Sequence, residues 1–261
     1  MARRGSRLSR GKALFQLSRY KEAIVEFELG LSEDEPKAIL YLMIGYCYLD
    51  LQNQRQAIVY AEKSLAEGQE GYLPFFLLAS AYEGAKDYHK ARLYILKAIA
   101  IDPEVADMYS LLADIYVKGQ NIDKAVESAM SGLALNPSHI RCNGILLTAA
   151  VLKRNRIEFE GLAKKLLALD PNNDYVHALI GWGKMRFNNY EGSLEHYRES
   201  LRINPMRQDS VKKMEAIETI RVLNGDKPYT SEDYVFTVLA FITIVAFARI
   251  ALDVIFYLHG D

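Results

Sequence analysis

The sequence predicts an all-α protein: a solenoid of about six helix–turn–helix repeats, closed by a capping helix and followed by a C-terminal hydrophobic helix. Three observations carry that prediction. Pro103, Pro137, Pro171 and Pro205 stand 34 residues apart, in the tripeptides IDP, LNP, LDP and INP. Ala23, Ala57, Ala91 and Ala125 keep the same spacing, as do Gly11, Gly45, Ala79, Ala113 and, two periods on, Gly181. Finally, residues 234–258 form one long apolar stretch after a polar linker.

Independent columns at one period are the signature of stacked supersecondary units. Each unit reads as a helix, a tight turn and a second helix. Proline ends the second helix because it cannot continue the hydrogen-bond ladder. The small residues let neighbouring helices approach closely, and Tyr48, Tyr82 and Tyr116, with Phe75 and Tyr109, fill the space between. In the turns, KDYHKA (86–91) and GQNIDKA (119–125) place Asp or Asn where helix caps are favoured.

Taken in order, the repeats begin near residues 4, 38, 72, 106, 140 and 174. Repeat one carries Arg7 and Arg10 on its first helix and is expected to fray. Repeat four, MYSLLADIYVKGQNIDKAVESAMSGLALNP (108–137), is the most regular. Repeat five departs from the pattern. Asn143, Leu147, Ala150 and Phe159 stand where an aromatic, a small residue, a tyrosine and an alanine are expected, so a helix pair with altered packing is predicted. After repeat six, residues 208–223 place Val211, Met214, Ile217 and Ile220 at helical spacing, the capping helix that a repeat array needs. The predicted organisation is a repeat domain over 1–223, a linker over 224–233 and a membrane-spanning helix over 234–258.

These residues resemble the tetratricopeptide repeat family, and the resemblance covers about four fifths of the chain. It implies a right-handed α-solenoid whose first helices line a concave, partner-binding groove. The lining positions it implies are Leu42, Tyr46 and Leu49, then Phe76, Ser80 and Glu83, then Ser110, Asp114 and Val117, then Thr148 and Val151, and finally Trp182 and Met185. Tyr46 and Phe76 either face the groove or pack between helices. Some members bind a chaperone's C-terminal carboxylate through Lys and Asn one turn apart on successive first helices. Here those positions hold Leu8 with Lys12, Leu42 with Tyr46, and Phe76 with Ser80, so no such clamp is expected.

The tail is a membrane-span candidate on length and composition. Twenty-five helical residues extend about 37 Å at roughly 1.5 Å each, enough for the ~30 Å hydrocarbon core. Ser231 can cap the helix, with Glu232 and Asp233 at its positive end. Arg249 and Asp253 lie one turn apart and can pair. At the bilayer centre each would cost about 2.5–3.5 kcal/mol, against a gain of about 0.3–0.6 for each of 15 Leu, Ile, Val and Phe residues. Two readings stay open for the pair: contact with a partner inside the membrane, or mutual satisfaction near the far interface. All 32 lysines and arginines lie at or before Arg249. A single-pass protein is therefore expected, with its repeat domain on the cytoplasmic side, an arrangement that looks tail-anchored.

Composition excludes several classes. Half the residues are hydrophobic and 25% are charged, which suits a packed core and not disorder. A net charge of −1 does not suit a nucleic-acid binder. The first twelve residues hold five basic ones, but no apolar run of signal-peptide length follows. Cys47 and Cys142 read as small buried hydrophobes in a reducing compartment. Of the five histidines, His177 reads as a polar contact near the groove, and His89, His139 and His196 as surface residues. No metal spacing, phosphate loop or nucleophile elbow occurs, so neither an enzyme, a cofactor nor a small-molecule substrate is expected. The expected partners are other proteins, with a membrane protein complex as one setting. The reading is thus a membrane-tethered interaction scaffold. The alternative is a soluble chaperone or targeting factor that holds hydrophobic client segments, with its own tail docked on the solenoid.

Overall fold

The structure, a computed structural model, describes residues 6–223. Thirteen α-helices and no strand occur among them. Residues 224–261 lie outside that range, and with them the linker 224–233, the apolar segment 234–258, Arg249 and Asp253. Among the described residues, no helix is long and apolar enough to cross a membrane. The chain divides into two compact units, Met1–Leu169 and Asp170–Asp261.

The first unit holds five helical hairpins: α1 (Arg7–Gln16) with α2 (Tyr20–Leu31), α3 (Lys37–Asp50) with α4 (Gln54–Ala66), α5 (Leu73–Gly84) with α6 (Tyr88–Ile101), α7 (Ala106–Lys118) with α8 (Ile122–Leu135), and α9 (Ile140–Leu152) with α10 (Arg156–Leu169). Each helix packs on the next in sequence. Each first helix also touches the first helix of the following hairpin, whereas successive second helices do not meet. The first helices therefore line the inner side of this stack and the second helices its outer side.

One turn is used throughout. The second residue of each intra-hairpin turn has a left-handed backbone: Ser18, Gln52, Lys86, Gln120, Arg154 and Asn188, with φ between 57 and 63°. None is glycine. The residue after it does two jobs. Its N–H closes the first helix by donating to the carbonyl five residues back, as in Asn53 to Tyr48 (2.8 Å), Asp87 to Tyr82 (2.9 Å) and Asn121 to Tyr116 (2.8 Å). Its side chain then opens the second helix by accepting an N–H three residues on: Gln56 for Asn53, Lys90 for Asp87, Lys124 for Asn121. Arg19 occupies this place in repeat one and supplies no side-chain cap.

The small-residue columns sit at close contacts, as the spacing predicts. A Cβ at Gly45 would fall 2.6 Å from Leu77 Cδ2, and one at Gly11 would fall 2.3 Å from the Phe27 ring. Ala23, Ala57, Ala91 and Ala125 are all fully buried. A further column runs through Gly30, Ser64, Ala98, Gly132, Leu166 and Ser200, all buried. Its serines hold the hairpins from inside: Ser64 Oγ donates to the Ala38 carbonyl (2.8 Å) and Ser200 Oγ to that of Asp174 (2.9 Å).

Repeat five forms its helix pair by exchanging volumes. Leu147 and Phe159 fill the places of small residues and are fully buried, while Ala150 replaces a tyrosine. Asn143 is fully buried, and its Nδ2 donates to the carbonyls of Pro137 (3.2 Å) and His139 (3.0 Å), pinning the connection that enters α9.

Arg7 and Arg10 are held in place. Arg7 pairs with Glu33 (2.8 Å) and Glu26 (3.2 Å), and Arg10 with Glu26 (3.4 Å). Glu35 accepts the N–H groups of Arg7 and Leu8 at the start of α1, a carboxylate at the positive end of a helix.

The second unit holds α11 (Asp174–Arg186), α12 (Tyr190–Ile203) and α13 (Gln208–Leu223). The α13 helix packs on both others, with Ile217 fully buried against Leu194 and Tyr197 and Met214 beside them, so it does cover the hairpin's apolar face.

Candidate functional site

Most of the positions that the resemblance implies as groove-lining lie on the first helices of the first unit. Tyr46 and Leu49 lie on α3, Phe76 and Ser80 on α5 and Asp114 on α7, three consecutive inner helices, all partly exposed. Leu42 does not line this face. It is 1% exposed, packed in a cluster with Leu77, Leu78 and Ala81 of α5. Val151 and Ser110 are buried as well. For Leu42 the covering element is α5, the first helix of the next repeat, so this side chain holds the stack together.

The character of the face changes along the stack. Around α3 and α5 it is aromatic and aliphatic: Tyr46, Leu49, Phe76 and Leu73, the last 38% exposed. The Tyr46 hydroxyl donates to the Leu73 carbonyl (3.3 Å), tying α3 to the start of α5. Burial, with Tyr72 nearby, pushes its ionisation well above the ordinary tyrosine range. The Ser80 hydroxyl is satisfied within its own helix by the Phe76 carbonyl (3.0 Å).

From α5 to α9 the face becomes charged. Glu83 pairs with Lys118, and Asp114 with Arg141 at 3.2 Å. Burial raises the Asp114 carboxyl although Arg141 pulls it down. Burial lowers the Lys118 ammonium, and Arg141 lowers it further. His139 completes this side. Its Nδ1 accepts the Cys142 N–H (3.2 Å), so Nε2 carries the hydrogen directed at Asp107 (3.0 Å).

On the flank, one arrangement occurs twice at the repeat spacing. Tyr48 stacks on Tyr60 with ring centroids 5.4 Å apart, and Tyr82 on Tyr94 at 5.5 Å. Lys63 sits over Tyr60 (4.7 Å) and Lys97 over Tyr94 (5.2 Å). Cation–π contacts of this kind hold aromatic edges in place.

Trp182 and Met185 belong to the second unit, partly buried against Leu194, Tyr197 and Ile217. His177 and His196 form a pair that the sequence does not announce: they are 19 residues apart, off the repeat spacing, and touch through Nδ1 atoms at 3.0 Å. Cys47 and Cys142 are free and fully buried, and burial pushes their thiols up to about 12 and about 11, so neither is a nucleophile at neutral pH. Among the described residues, no group of three or more His, Cys, Asp or Glu could hold a metal ion.

The comparisons with known proteins agree with this architecture. A tetratricopeptide repeat model matches residues 38–66, 74–105 and 106–139, the second, third and fourth hairpins with their connections. No curated protein matches the sequence. Among solved structures, the chain is similar to one from the Cut9–Hcn1 hetero-tetramer of the APC/C (TM-score 0.69, 16% identity), over 81% of this chain and 42% of that one. It therefore spans less than half of that protein's length. It is also similar to a thermophilic tetratricopeptide-repeat protein of Thermus thermophilus (TM-score 0.64, 16% identity, over 69% of this chain and 98% of that one). A third similarity is to PilF of Pseudomonas aeruginosa (TM-score 0.61, 15% identity, over 80% and 95%). At such identities the likeness is one of fold.

Proposed function

We propose that this chain, which carries tetratricopeptide repeats, is an interaction scaffold that holds a partner protein on the inner face of its first unit and is tethered to a membrane by residues 234–258. The observation that supports partner binding is the row of partly exposed aromatic and aliphatic side chains on α3 and α5, continued by the charged stretch on α7 and α9. Tetratricopeptide repeats typically mediate protein–protein contact, and one fold relative sits in a hetero-tetramer. The support for tethering is the sequence itself: 25 residues of mostly Leu, Ile, Val, Phe and Ala, preceded by nearly all the basic residues. On this reading the repeat domain faces the cytoplasm and the chain crosses once, with Arg249 and Asp253 within or beside the bilayer.

A second reading, a soluble factor that holds hydrophobic client segments, is favoured by the apolar quality of the α3–α5 face. Carbonate extraction of membranes from cells expressing the full chain separates the two. Retention in the membrane pellet supports the tether, and release supports the soluble factor. For the binding face, Tyr46→Ala with Phe76→Ala is the test, scored by co-purification in mild detergent. Equal recovery of every partner from wild type and the double variant, with helicity unchanged, would remove this face as the binding surface.

A further inference from the structure

The second helices form the outer side of the first unit, and α6 differs from the others in what it exposes. Its sequence, YHKARLYILKAIAI, contains no Asp or Glu, whereas α2, α4, α8 and α10 each carry at least one. Ala91, Ile95 and Ala98 face the core. Every exposed position holds either a basic side chain (His89, Lys90, Arg92, Lys97) or an aliphatic one (Leu93, Leu96, Ala100, Ile101). At roughly 3.6 residues per turn, Leu93, Leu96 and Ala100 form one stripe along the helix, with Arg92 to one side of it and Lys97 to the other. Leu93 is 48% exposed and Leu96 46%.

The apolar surface continues beyond α6. Val25, Val59 and Leu93 share one column of the repeat, and Leu96 and Met130 another, all of them exposed. They form a row across successive outer helices. Glu62 of α4 and Glu127 of α8 occupy the columns of Leu96 and Leu93, so the acid-free part of this surface is centred on α6. Beside the stripe, Arg92 and His89 border a hollow of about 260 Å³ walled by Tyr88, Ile115, Tyr116 and Gly119, with no acidic side chain in its lining. Lys97 lies over the rings of Tyr94 (5.2 Å) and Phe75 (6.0 Å), which leave its charge uncancelled. Among the described residues, Lys90 alone of these cations meets a carboxylate, that of Asp87 at 3.8 Å.

We propose that α6 docks on the headgroup region of an anionic lipid bilayer. An aliphatic stripe flanked on both sides by cations, with no acid among them, is the composition of a helix that lies in a membrane interface. Leu93 and Leu96 enter the boundary between headgroups and acyl chains. Arg92 and Lys97, on long apolar stems, reach the lipid phosphates to either side, and the hollow beside Arg92 takes one headgroup. Charge complementarity selects this occupant. Anionic lipid presents negative charge as a continuous sheet, which attracts cations that have no directed partner of their own. The inference rests on the tethered reading for its setting, because an anchored chain meets the bilayer at high effective concentration. It uses the outer side of the first unit, so the α3–α5 face stays open to a partner protein.

The test places a fluorophore on the stripe. Cys47 and Cys142 are fully buried, so a maleimide dye labels the introduced thiol of Leu96→Cys in the full-length chain. Lys12→Cys, exposed on the inner helix α1, is the control. Each protein is reconstituted into vesicles of phosphatidylcholine, alone or with about 30% phosphatidylserine, that carry a doxyl-labelled lipid as quencher. The dye on α6 should be quenched about threefold more strongly in anionic than in neutral vesicles, and the dye on α1 equally in both. Raising the salt from about 0.05 M to about 0.5 M should erase the difference, a result that involves no further variant. Each cation near an anionic surface contributes about fivefold, so Arg92→Gln with Lys97→Gln should lower the ratio of docked to undocked chains about 25-fold. The inference falls if the α6 dye is quenched equally in neutral and anionic vesicles, if the α1 dye is quenched as strongly, or if the double variant matches wild type. It falls too if α6 stays unquenched on anionic vesicles yet captures an acidic protein, because the occupant would then be that protein. Carbonate strips surface contacts and reads only the tail, so failure of the tether and failure of this docking are told apart.

Discussion

His177 and His196 meet nitrogen to nitrogen, Nδ1 to Nδ1, at 3.0 Å, and the backbone of Pro171 decides which ring donates. Nε2 of His177 lies 3.0 Å from the Pro171 carbonyl, which can only accept, so that nitrogen carries the hydrogen. His177 Nδ1 is then a lone pair, and His196 must donate its Nδ1–H. The contact excludes both rings being cationic at once. A proton added to His177 Nδ1 would set two N–H groups against each other.

The pair predicts an acid-labile second unit. Burial, then Lys184 and then His177 lower the His196 pKa to about 4, with Glu199 alone opposing. A base whose folded pKa is depressed contributes its full stability above the ordinary histidine value of about 6.5, and loses it as pH falls from there towards 4. Partial exposure screens the charge, so the expected loss over that window is about 1–2 kcal/mol. Unfolding midpoints of wild type and His196→Phe, measured between pH 7 and pH 4, check it. The difference between them should shrink as pH falls. Parallel curves would show that the pair does not govern acid stability.

Gly45 offers the sharpest packing test. An added Cβ meets the tip of Leu77 at 2.6 Å, with the Ala57 carbonyl behind it at 3.5 Å. The tip of a leucine can move, and alanine is favoured over glycine in a helix by roughly 0.5–1 kcal/mol, so Gly45→Ala should be close to neutral. A leucine cannot be placed there without separating α3 from α5. Gly45→Leu should cost about 1–3 kcal/mol, read as a lower thermal midpoint. An unchanged melting curve would mean that the column does not mark a helix contact.

The repeat spacing made most of this fold legible. First helices expected near 38, 72, 106, 140 and 174 begin at Lys37, Leu73, Ala106, Ile140 and Asp174. The reason is physical: Gly45 or Ala79 is small because another helix presses on it, and that pressure recurs every hairpin. The left-handed turn residues were not legible, because Ser18, Gln52, Lys86, Gln120, Arg154 and Asn188 share no side-chain chemistry. Their conformation is imposed by the closing hydrogen bond of the following residue. Which side chains stay exposed on the inner helices was legible only in part. Leu42 lies one turn before Tyr46 and shares its stripe, but α5 covers one and leaves the other partly open. The histidine pair follows no period, so no column could reveal it.

Repeat one lacks the cap that repeats two to six possess, and supplying it should stabilise the chain. In the later turns the residue at this place accepts an N–H three positions on, whereas Arg19 forms only an exposed ion pair with Glu22. Such surface pairs contribute about 0–1 kcal/mol, and an Asn or Asp cap contributes about 1 kcal/mol. Arg19→Asn should therefore raise the midpoint for α1–α2 slightly, and hydrogen exchange of the Glu22 amide, three positions on, should slow. A lower midpoint would mean that the Arg19–Glu22 pair outweighs the missing cap.

The last prediction concerns the tail, because it separates the tethered scaffold from the soluble factor. The α13 helix already covers the apolar face of α11 and α12, with Ile217 fully buried between them. The described fold therefore does not need residues 231–261 to close an open end. Deleting them should yield a soluble, helical protein with the same unfolding midpoint that no longer sediments with membranes. Within the tail, Arg249 and Asp253 oppose insertion by a few kcal/mol if they lie deep in the bilayer. Replacing both with leucine should preserve or strengthen membrane attachment. If the pair also contacts a partner inside the bilayer, the same double variant keeps the anchor and loses that partner in detergent co-purification. A truncated protein that aggregates, or a full-length chain that is monomeric and soluble without detergent, would instead mean that the tail packs on the repeats. The tether would then be withdrawn, and the α3–α5 face would be read as a surface for hydrophobic client segments.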